Sequence, residues 1–432
     1  MIGTGVFTSL GFQVSDPHSG FSILALWFVG GICALCGALS YAELGAALPR
    51  SGGEYHLLGR VYHPALGFLA GWVSATVGFA APAALAAMPF GQYIVRIFPG
   101  MPALVVFKGW ILPPETYLAL GIILITTLFL LRDVPLGAAF QNSSTMLKVS
   151  LVLVIIAAGF FITKAQPVSF LPAAGDMKLI ASGKFASNLV YVMYAYLGWN
   201  ASIYLAGEVR NPERVIPLSV TLGTLIVMTL YLAVNAVFLR SAPANEMAGK
   251  VEVALVAGRY LFGASGGNIM AGLICAGLVS TISALIWIGA RVTMVMGEDM
   301  RLLRPFARCT KHGVPVLATI TQAAIAAVLL LTSTFSKVTN YIQFSLQICS
   351  FLVVLGVIVL RFTQPALPRP YKTWGYPVTP IVFLGISLWM LINIWRSNPT
   401  QSLWGLGTMA LGLVLYAISP ARPASTANIS TT

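Results

Sequence analysis

Two glycine clusters decide how this chain folds: it reads IGTGVF at residues 2–7 and YLGWN at residues 196–200. Both clusters lie within apolar sequence. A helix in hydrocarbon must satisfy its own backbone hydrogen bonds, so glycines there either allow close helix packing or mark a break that lines a polar cavity. Either cluster taken alone favours close packing.

The composition is that of an integral membrane protein. Of the 432 residues, 58% are apolar and only 9% are charged, whereas about a quarter of the residues in a soluble domain are charged. Apolar runs of about 20 residues recur, each long enough to cross the bilayer as a helix. They are continuous rather than alternating, which favours helices over a barrel. We predict eleven complete spans, near residues 23–48, 65–95, 117–131, 146–162, 189–205, 217–239, 268–295, 316–331, 342–360, 378–395 and 403–418.

A twelfth, incomplete span is predicted at residues 1–14, which are apolar and glycine-rich. As a helix they would extend only about 21 Å. No basic segment precedes them and no small-residue cleavage site follows, so a signal peptide is a poor explanation. We therefore expect the second half of a first helix whose inner half is missing, through a late start codon or a truncation.

The positive charge orients the protein. The net charge is +13, but the basic residues lie in short connections between spans, most densely at residues 301–311. Such connections face the cytoplasm. We expect a multi-pass protein of the plasma or inner membrane with both ends of the intact chain in the cytoplasm, in contact with lipid and not with nucleic acid. The tail at residues 420–432 is predicted to be disordered.

The residues that usually form metal or redox sites are poorly placed for either. Cys33 and Cys36 form a C-x-x-C inside an apolar span without further ligands, which favours small-residue packing. All four histidines lie in connections, so no metal site or other cofactor is predicted. Glu43, Glu208 and Glu298 fall at cytoplasmic ends of spans, and we interpret them as solvated.

The positions of the two clusters favour a break in each. If spans one to five and six to ten are two halves of an inverted repeat, both clusters fall in the first span of a half, which is typical of a transporter binding site. A break offers amide N–H groups to a carboxylate and carbonyls to an ammonium. An α-amino acid carries both. An enzyme would need paired acids or a nucleophile with its base, and a channel would need a charged or polar lining. A pump driven by ATP would need a phosphate-binding loop. The sequence has none of these features.

At these residues the chain resembles the amino acid, polyamine and organocation (APC) permeases, especially the L-type amino acid transporter branch and the bacterial serine/threonine exchangers. The similarity runs almost from end to end. Its motifs are IGTGVF at 2–7, YAELG at 41–45, PRSGGEY at 49–55, GWN at 198–200 with Glu208, NPER at 211–214 with Pro217, RPYK at 369–372 and WGYP at 374–377.

The resemblance implies an all-α, LeuT-like five-plus-five inverted repeat with two additional C-terminal helices, here with the first helix truncated at its N-terminal half. Residues 1–164 would form the first repeat, residues 165–361 the second, and residues 362–419 the last two helices. It also implies that the substrate carboxylate meets amides near Gly3, Thr4 and Gly5, and that the ammonium meets carbonyls near Ile2, Tyr194 and Leu197. Gly198 would form the break.

Four aromatic residues surround the second break, and one or two of them could close over the substrate. Tyr191, Tyr194, Tyr196 and Trp199 are equally well explained as packing or interface aromatics. Both interpretations stay open at the level of sequence, and Tyr194 and Trp199 are predicted to contact the substrate.

Lys148 is the basic residue set furthest inside a predicted span. It either reaches the cytoplasmic interface or finds partners, because a charge at mid-bilayer costs about 3 kcal/mol or more. The resemblance favours partners, since a lysine here looks like the family's substitute for a sodium ion between helices one, five and eight. Thr281 and Ser283 are then its predicted neutral partners. We expect sodium-independent transport, with either proton symport or amino acid exchange.

The substrate class is predicted from the absence of an acidic residue at mid-membrane depth, which favours neutral amino acids. The alternatives are cationic amino acids or polyamines, or a truncated homologue that does not transport. In animal L-type transporters a cysteine between the third and fourth spans links to an ancillary subunit. The stretch from Arg96 to Glu115 has no cysteine, so we expect no disulfide-linked subunit.

Overall fold

The chain forms a bundle of helices in a computed structural model that describes residues 1–15, 19–107, 110–132, 134–162, 165–204 and 206–419. Within these ranges the strand content is one antiparallel hairpin, β1 (Leu104–Phe107) and β2 (Trp110–Leu112). The predicted all-α class is therefore confirmed. The tail at residues 420–432, predicted to be disordered, lies outside the described residues.

The helices follow one another with short connections. A π-helical turn, Ser74–Gly78, joins the fourth helix to the fifth, and short 3-10 turns lie at Ala206–Glu208 and Arg304–Ala307. In chain order the α-helices are α1 (Thr4–Gln13), α2 (Gly20–Ala47), α3 (Glu54–Val61), α4 (Pro64–Val73), α5 (Ala80–Ile97), α6 (Pro114–Leu130), α7 (Val134–Gly159), α8 (Asp176–Ile180), α9 (Gly183–Tyr196), α10 (Ala201–Tyr204), α11 (Pro212–Ser241), α12 (Ala244–Met247), α13 (Val253–Asp299), α14 (Val316–Thr332), α15 (Phe335–Thr363), α16 (Val378–Ser397) and α17 (Pro399–Ile418).

The helices reproduce the predicted spans. Among the described residues, eight helical segments are long and apolar enough to cross a membrane, with the segment from Pro64 to Ile97 counted as one. Helices α6 and α14 are equally apolar but shorter, α9 and α10 form a broken span, and α1 is a half span. The chain is therefore a multi-pass membrane protein. The division into repeats at 1–164 and 165–361 stays a prediction.

Helix α13 consists of two helices. It runs from Val253 to Asp299, and the seventh complete span, predicted near residues 268–295, falls within its second part. Gly263 interrupts α13 with φ 73° and ψ 179°, a conformation open mainly to glycine. Two helices therefore meet end to end at Gly263, and the polar residues around this junction conceal the first of them from a hydropathy reading.

Proline marks the start of several helices. Pro64, Pro114, Pro212 and Pro399 are the first residues of α4, α6, α11 and α17. Proline fits there because the first-turn N–H groups have no partner within the helix and its fixed φ is already helical. These helix starts depend on nearby residues, so the sequence predicts them to within about five residues.

Small side chains allow α2 to pack within the bundle. Cys33 is fully buried and Cys36 nearly so, and both are free thiols. A Cβ on Gly31 would lie 2.6 Å from the Met228 side chain of α11, closer than real contacts. Cys33 lies on another face of α2, which it shares with Gly37 four residues later, and a Cβ on Gly37 would lie 2.8 Å from the Phe383 side chain of α16. Close helix packing on that face agrees with the predicted packing role of the C-x-x-C.

Glu43 is not solvated, contrary to our interpretation of the sequence. Its side chain is only 2% exposed and its Oε2 accepts from Arg361 at 2.7 Å, while Arg369 lies 3.3 Å from Oε1. The backbone N–H of Thr373 also donates to it, at 2.7 Å. The arginines come from a connection more than 300 residues later, so no local pattern could reveal the pairing. Glu298, interpreted in the same way, is exposed.

Glu43→Gln is expected to destabilise the fold. It leaves the nearly buried Arg369 without a carboxylate, and breaking a buried ion pair costs about 3–5 kcal/mol. We expect the free energy of unfolding to fall by about 3 kcal/mol, at the lower end of this range, because Arg361 is partly exposed and also lies over the Tyr376 ring. Thermal unfolding of the purified protein in detergent measures it. The exposed Glu298→Gln is the control, and equal melting temperatures for the two variants would contradict the assignment.

Candidate functional site

The first glycine cluster lies at the start of α1, and we call this helix start the first interruption. Residues 1–3 are not helical, and Gly3 stands at the N-cap position with no side chain capping the helix. The first amide groups of a helix have no partner inside it. Since α1 is buried over almost its entire length, these N–H groups and the positive end of the helix dipole lie inside the protein.

The second interruption lies between α9 and α10. Helix α9 ends at Tyr196, Gly198 adopts φ 92°, and α10 begins at Ala201. Leu197 donates its N–H to the Tyr194 carbonyl at 3.1 Å. The break predicted within the sixth span is therefore present, and Gly198 is required there because other residues rarely adopt this φ.

The two interruptions touch each other. A Cβ on Gly5 would lie 2.3 Å from Cα of Ala195, so the start of α1 is in direct contact with the end of α9. The Tyr231 hydroxyl of α11 lies 3.0 Å from the Met1 carbonyl oxygen and 3.1 Å from that of Ala195. It can donate to either. Sequence analysis missed Tyr231, since an aromatic residue in an apolar span carries no distinguishing signal.

A cavity of about 290 Å³ opens at this junction. This is close to the smallest volumes typical of small-molecule sites, roughly 300–1,000 Å³. All eight residues predicted to bind substrate line it, although their role as contacts stays a prediction. They are Ile2, Gly3, Thr4, Gly5, Tyr194, Leu197, Gly198 and Trp199.

One wall of the cavity is polar and was not predicted. Gln343, Gln347 and Ser350 of α15 line it at spacings of four and three residues, which places them on one helix face. Asn200 and Glu54 complete this wall. The spacing on α15 is a usable signal, because three polar residues recur at helical period inside an otherwise apolar span.

The cavity has an acidic residue in its lining that was not predicted. Glu54 belongs to the PRSGGEY motif, which was placed in a connection, but its side chain is 1% exposed and lines the cavity. The connection between α2 and α4 folds inward through α3, and a hydropathy profile cannot distinguish an inward loop from a solvated one.

The aromatic residues around the second break have different positions. Trp199 and Tyr194 line the cavity. Trp199 packs edge-on against Tyr41, with ring centroids 4.6 Å apart, and Tyr194 packs in the same way against Phe335. Tyr196 is fully buried and lies outside the lining. Packing explains Tyr196, while Trp199 and Tyr194 are placed to contact a ligand.

Tyr191 lies beyond the cavity in an aromatic cluster. Its ring stacks on Phe12 at 4.7 Å, and Phe12 in turn stacks on Phe335 at 5.4 Å. The Tyr191 hydroxyl is 2.7 Å from that of Ser336. This cluster joins α1, α9 and α15.

Lys148 is buried rather than extended towards an interface. Its side chain is 9% exposed, and Nζ lies 3.4 Å from Thr281 Oγ1 and 3.5 Å from Ser280 Oγ. Gln141 holds Ser280 by accepting from its hydroxyl at 2.8 Å. The alternative in which Lys148 reaches the interface is therefore excluded.

The predicted partner Ser283 is wrong, and Ser280 takes its place. Gly277, Ser280 and Thr281 lie on one face of α13, and Lys148 packs against Gly277. Residues three and four apart share a helix face, whereas Ser283 is six residues from Gly277 and points elsewhere. Its hydroxyl is buried without a hydrogen-bond partner among the described residues.

Thr281 connects Lys148 to the first interruption. A Cβ on Gly3 would lie 3.3 Å from the Thr281 methyl group. A continuous contact therefore runs from Lys148 of α7 through Thr281 of α13 to Gly3 at the start of α1. All three residues line the cavity.

Among the described residues, the lining of the cavity offers hydrogen-bonding groups to a ligand. No group of three His, Cys, Asp or Glu side chains among these residues is close enough to hold an ion. The donors and acceptors available are backbone groups at the two breaks and the amide, hydroxyl and carboxyl groups of the polar wall.

Discontinuous helices that meet at a buried cavity are typical of membrane transporters. A profile of the amino acid permease family matches residues 1–418. The chain therefore belongs to the amino acid permease family.

Individual relatives cover nearly the whole chain. The human b(0,+)-type amino acid transporter 1 is 27% identical over 96% of this chain and 84% of its own length. The serine/threonine exchanger SteT of Bacillus subtilis (strain 168) is 28% identical over 90% of this chain and 87% of its own. The human cystine/glutamate transporter is 28% identical, with 96% and 81% covered.

Gly5→Ala is expected to separate the two interruptions. The new methyl group would meet the backbone of Ala195, and overpacking of this kind costs about 1–3 kcal/mol. The melting temperature in detergent should fall. Gly121→Ala is the matched control, since a Cβ at this helical glycine of α6 meets nothing within 4 Å and alanine favours a helix by about 1 kcal/mol. Equal behaviour of the two variants would contradict the close contact.

Proposed function

We propose that this protein is a secondary transporter of neutral amino acids that works without sodium, by proton symport or by amino acid exchange. The observation that carries the proposal is the contact between the start of α1 and the break after α9 at a buried cavity, with amide groups at the first and carbonyl groups at the second. Family membership supports it.

The two charges of an amino acid match the two helix ends. The carboxylate would accept from the amides of Gly3, Thr4 and Gly5, where the dipole of α1 is positive. The ammonium would donate to carbonyls near Ile2, Tyr194 and Leu197, at the negative end of α9. The Ala195 carbonyl is within reach of Tyr231, so it is less available to the substrate.

The cavity supports a small substrate with a modest side chain. Its volume is about 290 Å³, and Leu197, Ile288, Leu346 and Phe383 contribute apolar lining. An apolar or small polar side chain can lie against these residues. Trp199 and Tyr194 would close over it.

A second candidate is transport of cationic amino acids or polyamines. The observation that favours it is Glu54 on the polar wall, since a buried carboxylate could pair with a substrate cation. The relatives' names cover several chemistries: one exchanges serine and threonine, and another carries cystine and glutamate. We favour neutral substrates, because one oxygen of Glu54 already accepts from three side chains.

Lys148 would replace the sodium ion. Its ammonium lies between α7 and α13 and reaches the first interruption through Thr281. A fixed positive charge there both stabilises that region and repels a sodium ion. Lys148, Thr281 and Ser280 are therefore the proposed coupling residues, without Ser283.

We further propose a plasma or inner membrane location with the connection between α13 and α14 in the cytoplasm. Arg301, Arg304, Arg308 and Lys311 of this connection are all exposed, as an orienting cluster requires. Both ends of the intact chain would then be cytoplasmic. A disulfide-linked ancillary subunit is not expected, since residues 96–115 contain no cysteine.

Counterflow in proteoliposomes tests the function. Vesicles loaded with unlabelled substrate should accumulate the same labelled amino acid by saturable exchange, with serine, leucine, arginine, glutamate and a polyamine as the panel. We expect at least one neutral amino acid to be exchanged well above protein-free vesicles. Preference for arginine or the polyamine would support the second candidate, and no exchange with any compound would refute transport.

Lys148→Ala tests the coupling. Wild-type uptake should be unchanged when choline replaces sodium, and the variant should lose about tenfold or more in rate, since a hydrogen bond from a charged group contributes about 1.5–3 kcal/mol. Lys178→Ala, which removes an exposed lysine, is the control. Uptake that needs sodium and survives Lys148→Ala would overturn this part of the proposal.

A further inference from the structure

Glu54 is a buried acid that the transport model described so far does not use. It is the first residue of α3, outside the candidate membrane-spanning helices, and its side chain is 1% exposed. The surrounding backbone positions it, because Gly52 and Gly53 both adopt positive φ. These two glycines turn the chain inward and carry the carboxyl group to the cavity.

The two oxygens of this carboxyl group differ in their contacts. Oε1 accepts from the Tyr41 hydroxyl at 2.5 Å, the Ser350 hydroxyl at 3.1 Å and the Asn200 amide at 3.3 Å. Oε2 is buried and has no hydrogen-bond partner among the described residues. One oxygen is thus held in place by three donors, and the other is free to carry a proton.

Among the described residues, no cation forms an ion pair with Glu54. The ion pairs found among the described residues use Arg50, Arg96, Arg361 and Arg369, and none of them involves Glu54. Glu43 is equally buried but lies against two arginines. Glu43 and Glu54 are therefore equally buried but differ in whether a cation lies nearby. A nearby cation decides whether a buried carboxylate stays ionised.

The titratable groups that face Glu54 are neutral acids rather than bases. They are Tyr41 from α2, Tyr204 from α10 and Cys349 from α15. Burial raises the pKa of Glu54 to about 7, although the hydrogen bonds from Tyr41, Ser350 and Asn200 act in the opposite direction. The pKa of this carboxyl group therefore lies well above the usual value for a glutamate.

Glu54 also connects segments that must move relative to one another during transport. Asn200 belongs to the second interruption, Ser350 to α15 and Tyr41 to α2. Trp199, next to Asn200, packs on the same Tyr41 ring. Any movement of the second interruption therefore changes both the donors to Glu54 and its access to water in the cavity.

We propose that Glu54 is a proton-binding site of the transport cycle, with Oε2 taking a proton from water when the cavity is open on one side of the membrane and returning it to water on the other. The proton neutralises the carboxylate while the cavity is closed. Hydration on opening favours the ionised form and releases the proton. This inference rests on the proposed transport function and assigns the coupled proton to a residue other than Lys148.

Glu54→Gln is the direct test, because glutamine preserves the shape and the acceptor oxygen but cannot titrate. Substrate-driven proton uptake, followed with a pH-sensitive dye inside proteoliposomes, should be lost relative to the amino acid exchange measured in the same vesicles. The exchange rate of the wild type should change severalfold between about pH 6 and about pH 8, since a group that titrates near neutrality changes its protonated fraction about tenfold over this range. The variant should show a flat profile.

Three further proteins keep the test decisive. Glu246→Gln removes an exposed acid and should keep the wild-type profile. Glu54→Asp keeps a carboxyl group and should keep a pH dependence with a displaced midpoint. Tyr41→Phe removes a donor to the carboxylate, so the midpoint should move to higher pH. If Glu54→Gln does not fold, the midpoints of the pH profiles of Glu54→Asp and Tyr41→Phe provide the test.

Several outcomes would overturn the inference without touching the transport function. The first is that Glu54→Gln still takes up protons or keeps the pH dependence of the wild type. The second is that the midpoint of the pH profile is the same as in the wild type for both Tyr41→Phe and Glu54→Asp. The third is that exchange by the wild type does not depend on pH. Failure of the transport function has a different signature, since the wild type would then exchange no amino acid at any pH.

Discussion

The structure depends on one constraint: peptide groups inside a membrane protein cannot be left without partners. Helix α1 begins and helix α9 ends inside the protein, and each of these ends leaves N–H or carbonyl groups that hydrocarbon cannot satisfy. The protein satisfies part of this demand itself, as the Tyr231 hydroxyl lies within reach of carbonyls from both interruptions. The remaining groups face a cavity. A bound zwitterion would form hydrogen bonds with them, so these peptide groups would contribute to the affinity for the substrate.

Three buried charged side chains are handled in three ways, and the differences separate structural from functional roles. Glu43 lies against two arginines, which holds the connection before α16 to α2. Lys148 has only hydroxyl partners, so its charge is oriented but not cancelled. Glu54 has neutral donors on one oxygen and none on the other. The less completely a charge is compensated inside the protein, the more its energy changes when water or substrate arrives.

The site was predicted in part. The glycine clusters at residues 2–7 and 196–200 were found because a break requires residues that tolerate unusual backbone conformations, and this requirement is local. Lys148 stood out because a charge in an apolar span is costly wherever it points. Glu54 and Tyr231 were missed for opposite reasons: the first lies in a motif that reads as a loop, and the second is one of many aromatic residues. Ser283 was chosen over Ser280 because the rotation of α13 relative to α7 is set by packing.

The sequence by itself determined the class of the protein, the number and approximate limits of its membrane helices and the positions of both breaks. Apolar length, proline and glycine act within a few residues, so a linear reading captures them. Only the tertiary structure decided which face of each helix meets the cavity, which carboxylate is paired and which is not. These properties depend on contacts between segments as far apart as Glu43 and Arg361 or Glu54 and Ser350, and the energy of a buried charge is fixed by such neighbours rather than by its own position in the chain.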